Sequence, residues 1–144
     1  QLAQISKELG SQALIASLPV RLEAGVLRWF DYRYRREDSL FDSTLNWLKA
    51  GYVSEIILSD WPHEGVRQGF DPGIVAAFPL SQLPLIVFGG LSTAAQLQQL
   101  FASPQVAAVA IGNFLNYEEL SLQKFKRSLR GICLRPATYD VKGL

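Results

Sequence analysis

The stretch from Leu83 to Ser92 constrains the fold more than any other part of the chain. An apolar run through Leu85, Ile86, Val87 and Phe88 stops at Gly89-Gly90. A polar N-cap then opens a pattern that places Leu97, Leu100 and Phe101 on one helix face. A run apolar on both faces is what a buried parallel strand requires, and a parallel strand must hand over to a crossover, here a helix. Glycines at the handover let backbone N–H groups approach a ligand with no Cβ in the way, and a helix start favours negative charge. Val106 to Ile111 repeats the pattern and ends at Gly112-Asn113. Two such strands side by side would point both glycine-tipped ends at one anion, a phosphate clamp made of backbone.

The same alternation runs along the rest of the chain. Leu2, Ile5 and Leu9 form an apolar helical stripe that ends at Gly10, and Gln12 to Leu18 reads as a buried strand followed by Pro19. Arg21 to Tyr34 reads as two extended pieces around Glu23-Ala24-Gly25, a hairpin excursion. Phe41, Leu45 and Leu48 make a helix face closed by Gly51, and Glu55 to Ser59 is a short strand leading into a loop from Asp60 to Gly69. Asp71-Pro72 opens a helix carrying Ile74, Val75 and Phe78, and Leu122, Phe125 and Leu129 mark the last helix. The order is one helix and then four βα units, an α/β pattern that implies a parallel sheet with right-handed crossovers. Four units are too few to close a barrel, and the first strand lacks the glycine fingerprint of a dinucleotide fold. They fit half of an eight-stranded TIM (β/α)8 barrel.

Residues 1–144 are therefore expected to form one half-barrel domain with two open sheet edges. Its expected complement is a missing N-terminal half-barrel or a second half-barrel. The absence of methionine and the helical stripe already present at Leu2 point to a piece of a longer chain. A net charge of +1 gives no long-range attraction to nucleic acid or to an anionic membrane. No apolar run approaches the ~20 residues that span a bilayer, and no secretory pattern is present. Cys133 is the only cysteine, so no internal disulfide forms, which suits a reducing cytoplasm. One histidine and one cysteine do not make a zinc site without several carboxylates, and neither metal nor cofactor is expected. There is no nucleophile elbow and no Walker loop.

In a half-barrel, ligand groups belong at the carboxyl ends of the strands. Asp60, His63 and Glu64 are the only proton-exchanging cluster there. His63 is the sole histidine, an imidazole being the side chain type that suits acid/base work, and the plain alternative is a solvated loop histidine. Glu64 is either a carboxylate held over the mouth by Gly65 or a surface glutamate. Glu55 starts its strand on the opposite face, where it caps a helix or joins a charged ring. Arg28, Arg33, Arg35 and Arg36 interleave with Tyr32 and Tyr34, a pattern that binds phosphate or single-stranded nucleic acid. With Asp31, Glu37 and Asp38 alongside, a solvated face or a protein-docking ridge fits better.

Several segments taken in order resemble one family. They are Glu55-Ile56-Ile57-Leu58, the loop through Glu64-Gly65 to Gly69-Phe70-Asp71, Leu83-Pro84-Leu85-Ile86 before Gly89-Gly90, and Ala107 to Ala110 before Phe114. Together they are similar to the cyclase subunit (HisF) of imidazole glycerol phosphate synthase, from its fifth to its eighth βα unit, over nearly all of the chain. The hairpin falls where that family has one. The resemblance implies a subunit that accepts ammonia from a glutaminase (HisH-like) partner docked on the barrel bottom. The ammonia is passed to a bis-phosphorylated ribonucleotide, which is cleaved and cyclised. It also implies that Gly65, Gly89, Gly90, Gly112 and Asn113 hold a substrate phosphate, that Glu64 replaces a mouth-loop aspartate, and that Glu55 belongs to the ring at the ammonia entrance.

The departures have chemical consequences. The family's catalytic aspartate at the end of the fifth strand falls on Pro19, or on Ser17 or Leu18 in a shifted register, and none is a carboxylate. The family's aspartate-arginine-aspartate-glycine-threonine loop reads Pro62-His63-Glu64-Gly65-Val66, and a small serine before the glycine pair is Phe88. The closing Arg135-Pro136-Ala137-Thr138-Tyr139 is also unlike a simple end after the last barrel helix. Such divergence resembles a side branch associated with surface-polysaccharide amidotransferases, in which ammonia serves to amidate a nucleotide-linked sugar. Three readings follow, in order: that amidation role, the synthase subunit of histidine biosynthesis, and a non-catalytic partner-binding scaffold.

Overall fold

The computed structural model describes residues 1–39, 43–67 and 69–134. The expected helix-face residue Phe41 and the closing segment from Arg135 lie outside them. The elements in chain order are α1 (Leu2–Leu9), β1 (Ile15–Glu23), β2 (Val26–Asp31), β3 (Arg36–Ser39), α2 (Ser43–Lys49), β4 (Glu55–Asp60), α3 (Gly73–Ala77), β5 (Leu85–Phe88), α4 (Ala94–Phe101), β6 (Val106–Ala110) and α5 (Ser121–Ser128). The six strands form one sheet in the order β3-β2-β1-β4-β5-β6. β1, β4, β5 and β6 run parallel, whereas β2 and β3 attach antiparallel as the hairpin. Four parallel strands in sequence order, with helices between them, are the expected half-barrel arrangement.

Local chemistry explains the element ends. Gly10, at φ +84°, closes α1 by donating its N–H to the Ser6 carbonyl. Ala24 and Gly25 both have positive φ, as a two-residue hairpin turn of the I′ kind requires. Thr93 caps α4 through a capping box, its hydroxyl accepting from the Gln96 N–H while the Gln96 side chain accepts from the Thr93 N–H.

Three sequence expectations shift. The first strand begins at Ile15 rather than Gln12, because Ser11–Ala13 form a 3-10 turn after Gly10. It also runs through Pro19 to Glu23 instead of ending before the proline. From Ile15 to Pro19 only the β4 side of β1 is paired, and the hairpin partner begins at Val20↔Trp29. A residue without an N–H is tolerated on a strand with one free edge. The excursion holds three strands rather than two, since the chain turns at Tyr32–Arg35 and returns as β3. β3 is polar throughout, so it carries no alternation to reveal it. Finally, Leu122 is exposed, and α5 packs through Phe125, with Leu129 buried just beyond its end.

The sheet has one covered and one open face. Ala16, Leu18 and Val20 of β1, Ile56 and Leu58 of β4, and Leu85 and Val87 of β5 are buried in the core with Leu48, Ile74, Leu97 and Leu100 of the helices. The alternate residues Ser17, Ile57, Ile86 and Ala108 are exposed or only partly buried, and Ile15 is 48% exposed. Among the described residues, no helix is long and apolar enough to cross a membrane.

Candidate functional site

The carboxyl ends of β4, β5 and β6 meet at one cavity of about 470 Å3. Its β5 wall is the glycine pair. Gly89 has φ +121°, and a Cβ there would sit 2.7 Å from the Asp60 carbonyl oxygen. Gly90 has φ +62°, and its Cβ would sit 2.9 Å from the His63 carbonyl oxygen and 3.0 Å from the Gly69 nitrogen. The pair is therefore demanded by close packing against the β4 loop as well as by positive φ.

That loop is cinched at its base by one buried carboxylate. Asp60 ends β4 and is 1% exposed. Its Oδ2 accepts the Asp71 N–H at 2.8 Å and lies 2.7 Å from His63 Nδ1. While Asp60 is ionised, that contact places a proton on Nδ1. Asp71 in turn accepts the Gly73 N–H at 2.8 Å through Oδ1, starting α3. Both ends of the loop thus hang from Asp60, and its tip from Glu64 to Arg67 is exposed over the cavity.

The β6 wall starts at Gly112. A Cβ there would stand 3.0 Å from the Phe88 ring, so the larger side chain at position 88 leans on a residue that has none. Asn113 opens a 3-10 turn through Asn116. Its Nδ2 lies 3.4 Å from the Tyr117 hydroxyl, a long contact.

The cavity gathers Glu64, Gly65, Gly89, Gly90, Gly112 and Asn113, every residue expected at the phosphate site together with the mouth-loop acid. Gly90 and Gly112 face the same space. Sequence reasoning missed Trp61, Arg67, Phe114 and Tyr117 as site residues, although all four line the cavity. Arg67 was legible only as a cation two residues beyond Gly65. Its partner, the Tyr117 ring, arrives from a different loop, with the guanidinium 5.5 Å from the ring centroid.

His63 does not line the cavity, because Asp60 holds its ring at the loop base. A second, shallower cavity of about 370 Å3 lies on the open sheet face beside Ser17, Pro19, Ser59 and Tyr32. It shares Glu64, Phe88 and Ala110 with the first, so Glu64 stands where the two meet. Leu18 points into the core, and Ser17 and Pro19 face the second cavity. No register therefore puts a β1 carboxylate there. Glu55 lies at the opposite end of β4, level with Ile15, and makes no ion pair among the described residues.

The arginine-rich hairpin is largely self-neutralised. Arg33 pairs with Asp31 at 2.8 Å, Arg21 donates to Glu37 at 2.9 Å, and Arg33 and Arg36 flank the Tyr34 ring at 5.5 and 5.3 Å. The Arg33 side chain, hydrogen-bonded to Asp31, holds that carboxyl below its ordinary value. No group of three or more His, Cys, Asp or Glu suited to a metal ion exists among the described residues.

The fold agrees with the comparisons. A family model described as "Histidine biosynthesis protein" matches residues 1–121. The chain belongs to the histidine biosynthesis protein family. That family is built on the TIM barrel, which accounts for the parallel half-sheet and its open face. Similar relatives named imidazole glycerol phosphate synthase subunit HisF include one from Wolinella succinogenes, 30% identical over 87% of this chain and 50% of the relative. Another, from a Thermotoga species, is 24% identical over 90% of this chain and 51% of the relative, and one from Methanococcus vannielii is 27% identical over 71% and 39%. The chain spans about half the length of the curated relatives it matches.

Proposed function

We propose that this chain is the phosphate-gripping half of a HisF-like, ammonia-accepting synthase subunit. The observation that carries the reading is the convergence of Gly65, Gly89, Gly90, Gly112 and Asn113 on one cavity at the strand ends. Backbone N–H groups in such turns form an anion nest, and Glu64 beside them is the one carboxylate among the described lining residues, positioned to move a proton near a bound ligand. His63 acts through Asp60 on loop position. Glu55, without an ion pair among the described residues and at the far end of the open face, is the proposed gate for ammonia from a glutaminase partner. The open face and the free edges of β1 and β6 are completed by an N-terminal half-barrel or a second half-barrel.

The chemistry served is the amidation of a nucleotide-linked sugar in surface-polysaccharide synthesis. What favours this over the cyclase reaction is that the β1 residues facing the second cavity, Ser17 and Pro19, include no carboxylate. The names of the relatives favour the alternative, the synthase of histidine biosynthesis. Calorimetric titration of the chain with ribose 5-phosphate and with ribose tests the clamp: binding of the phosphorylated sugar alone is expected, and equal affinity for both would sink it. Supplying ammonium and the bis-phosphorylated ribonucleotide to the chain combined with a HisF N-terminal half then separates the two chemistries. No turnover is expected; cyclised product would restore the histidine-pathway reading.

A further inference from the structure

We infer that Arg67, steadied by Tyr117, supplies the positive charge that the backbone clamp lacks and acts as its phosphate-selecting side chain. This rests on the clamp reading above and extends it to a residue which that reading leaves out.

Glycine and asparagine offer the cavity dipoles, and Glu64 adds a negative charge to the same space. A phosphate monoester carries up to two negative charges, so a clamp of dipoles next to a carboxylate needs a cation to favour phosphate over a neutral sugar. Arg67 is the one cationic side chain among the described lining residues. It makes no hydrogen bond or ion pair to a carboxylate among the described residues; its one specific contact is the Tyr117 ring, 5.5 Å from the guanidinium carbon.

That contact suits the role. A cation over an aromatic ring is held by the ring's negative face, while the in-plane N–H donors of the guanidinium stay free for a bidentate bond to oxygen. Arg67 comes from the loop after β4 and Tyr117 from the segment after β6, so the pair joins two separate segments that line the cavity. The loop bearing Arg67 is itself fixed by the two bonds to Asp60. The cation is thus placed before ligand arrives, which lowers the ordering cost of binding.

The test titrates the full chain with inorganic phosphate, ribose 5-phosphate and ribose. Arg67→Gln is expected to weaken both phosphate probes about tenfold or more, equal to about 1.4 kcal/mol, and to flatten their salt dependence. Arg67→Lys should recover part of the affinity, and Tyr117→Leu should cost roughly threefold with the charge retained. Both side chains are exposed, so thermal melting reports whether each variant stays folded. If the unaltered chain binds phosphate and Arg67→Gln binds it equally well, the assignment of Arg67 fails while the clamp stands. If Arg67→Gln weakens ribose 5-phosphate but not inorganic phosphate, Arg67 reads the sugar and the inference is overturned. If the unaltered chain binds neither phosphate probe, the clamp itself fails.

Discussion

The two faces of the sheet are made by the same strands, one residue apart, and end in opposite conditions. Ile56, Leu58, Leu85 and Val87 are fully buried under the helices, while their neighbours Ile57 and Ile86 are partly exposed and Ile15 is 48% exposed. Strand periodicity of two makes such a partition automatic once one face finds helices. The covered face therefore carries the buried apolar core of the described residues. The open face is apolar along its middle, where Ile57 and Ile86 are partly exposed, and borders the second cavity at its rim. The difference between the two faces can be attacked residue by residue.

The widest contrast is between adjacent positions of β4. Leu58→Ala leaves a hole in the closed core and is expected to cost about 2–5 kcal/mol in urea unfolding. Ile57→Ala removes a side chain that already meets solvent, and its cost in the chain alone should stay under about 1 kcal/mol. Equal losses at the two positions would break the comparison, because they would mean that the open face is already covered in solution. Adding an N-terminal half-barrel sharpens it: Ile57→Ala should then become costly while Leu58→Ala keeps its value.

Asp60 straddles the partition, being buried at the end of β4 while its carboxylate serves the rim loop. Asp60→Ala strands the Asp71 N–H and releases His63, with an expected loss of about 2–3 kcal/mol. The loss should be local. Hydrogen exchange at the Asp71 amide should accelerate strongly while that of Leu58 and Val87 changes far less. Uniform acceleration would show that the loop and core unfold as one unit.

How much of this was legible follows from what each signal consists of. The parallel strands were readable from unbroken apolar runs such as Leu85 to Phe88, although only one face of that run is covered and Ile86 and Phe88 are partly exposed. The glycine ends were readable because positive φ and close approach leave few other residues possible. β3 was not, since an edge strand of Arg, Glu, Asp and Ser is held by backbone pairing with β2 and carries no hydrophobic pattern. The Pro19 boundary misled because proline ends strands in the middle of sheets but not on a strand with a free edge. At the site, the glycines could be named in advance, but the reason for Gly89 and Gly90 lies in Asp60, His63 and Gly69, residues that no local pattern brings to them. The Arg67–Tyr117 pair spans 50 positions in the chain and has no local signature at all.

The smallest expected effect lies farthest from the core, at the hairpin turn. Asp31 accepts the Arg33 N–H and its guanidinium, and the Arg33 side chain is chiefly what lowers the Asp31 carboxyl from its ordinary value of 3.8. A carboxyl whose folded pKa is depressed contributes its full stabilisation above the unfolded value and loses it as pH falls through the folded one. Acidification from about pH 4 downward should therefore loosen the Tyr32–Arg35 turn before it disturbs β4 or β5. Arg33 is largely exposed, so water and salt screen the pair and the effect on global stability is slight. Nuclear magnetic resonance of the Arg33 amide across this range should register the titration, and Asp31→Asn should abolish it. If β4 core amides shift with the same midpoint, the hairpin and the covered face are coupled, and the independence of the two sides of the molecule is lost.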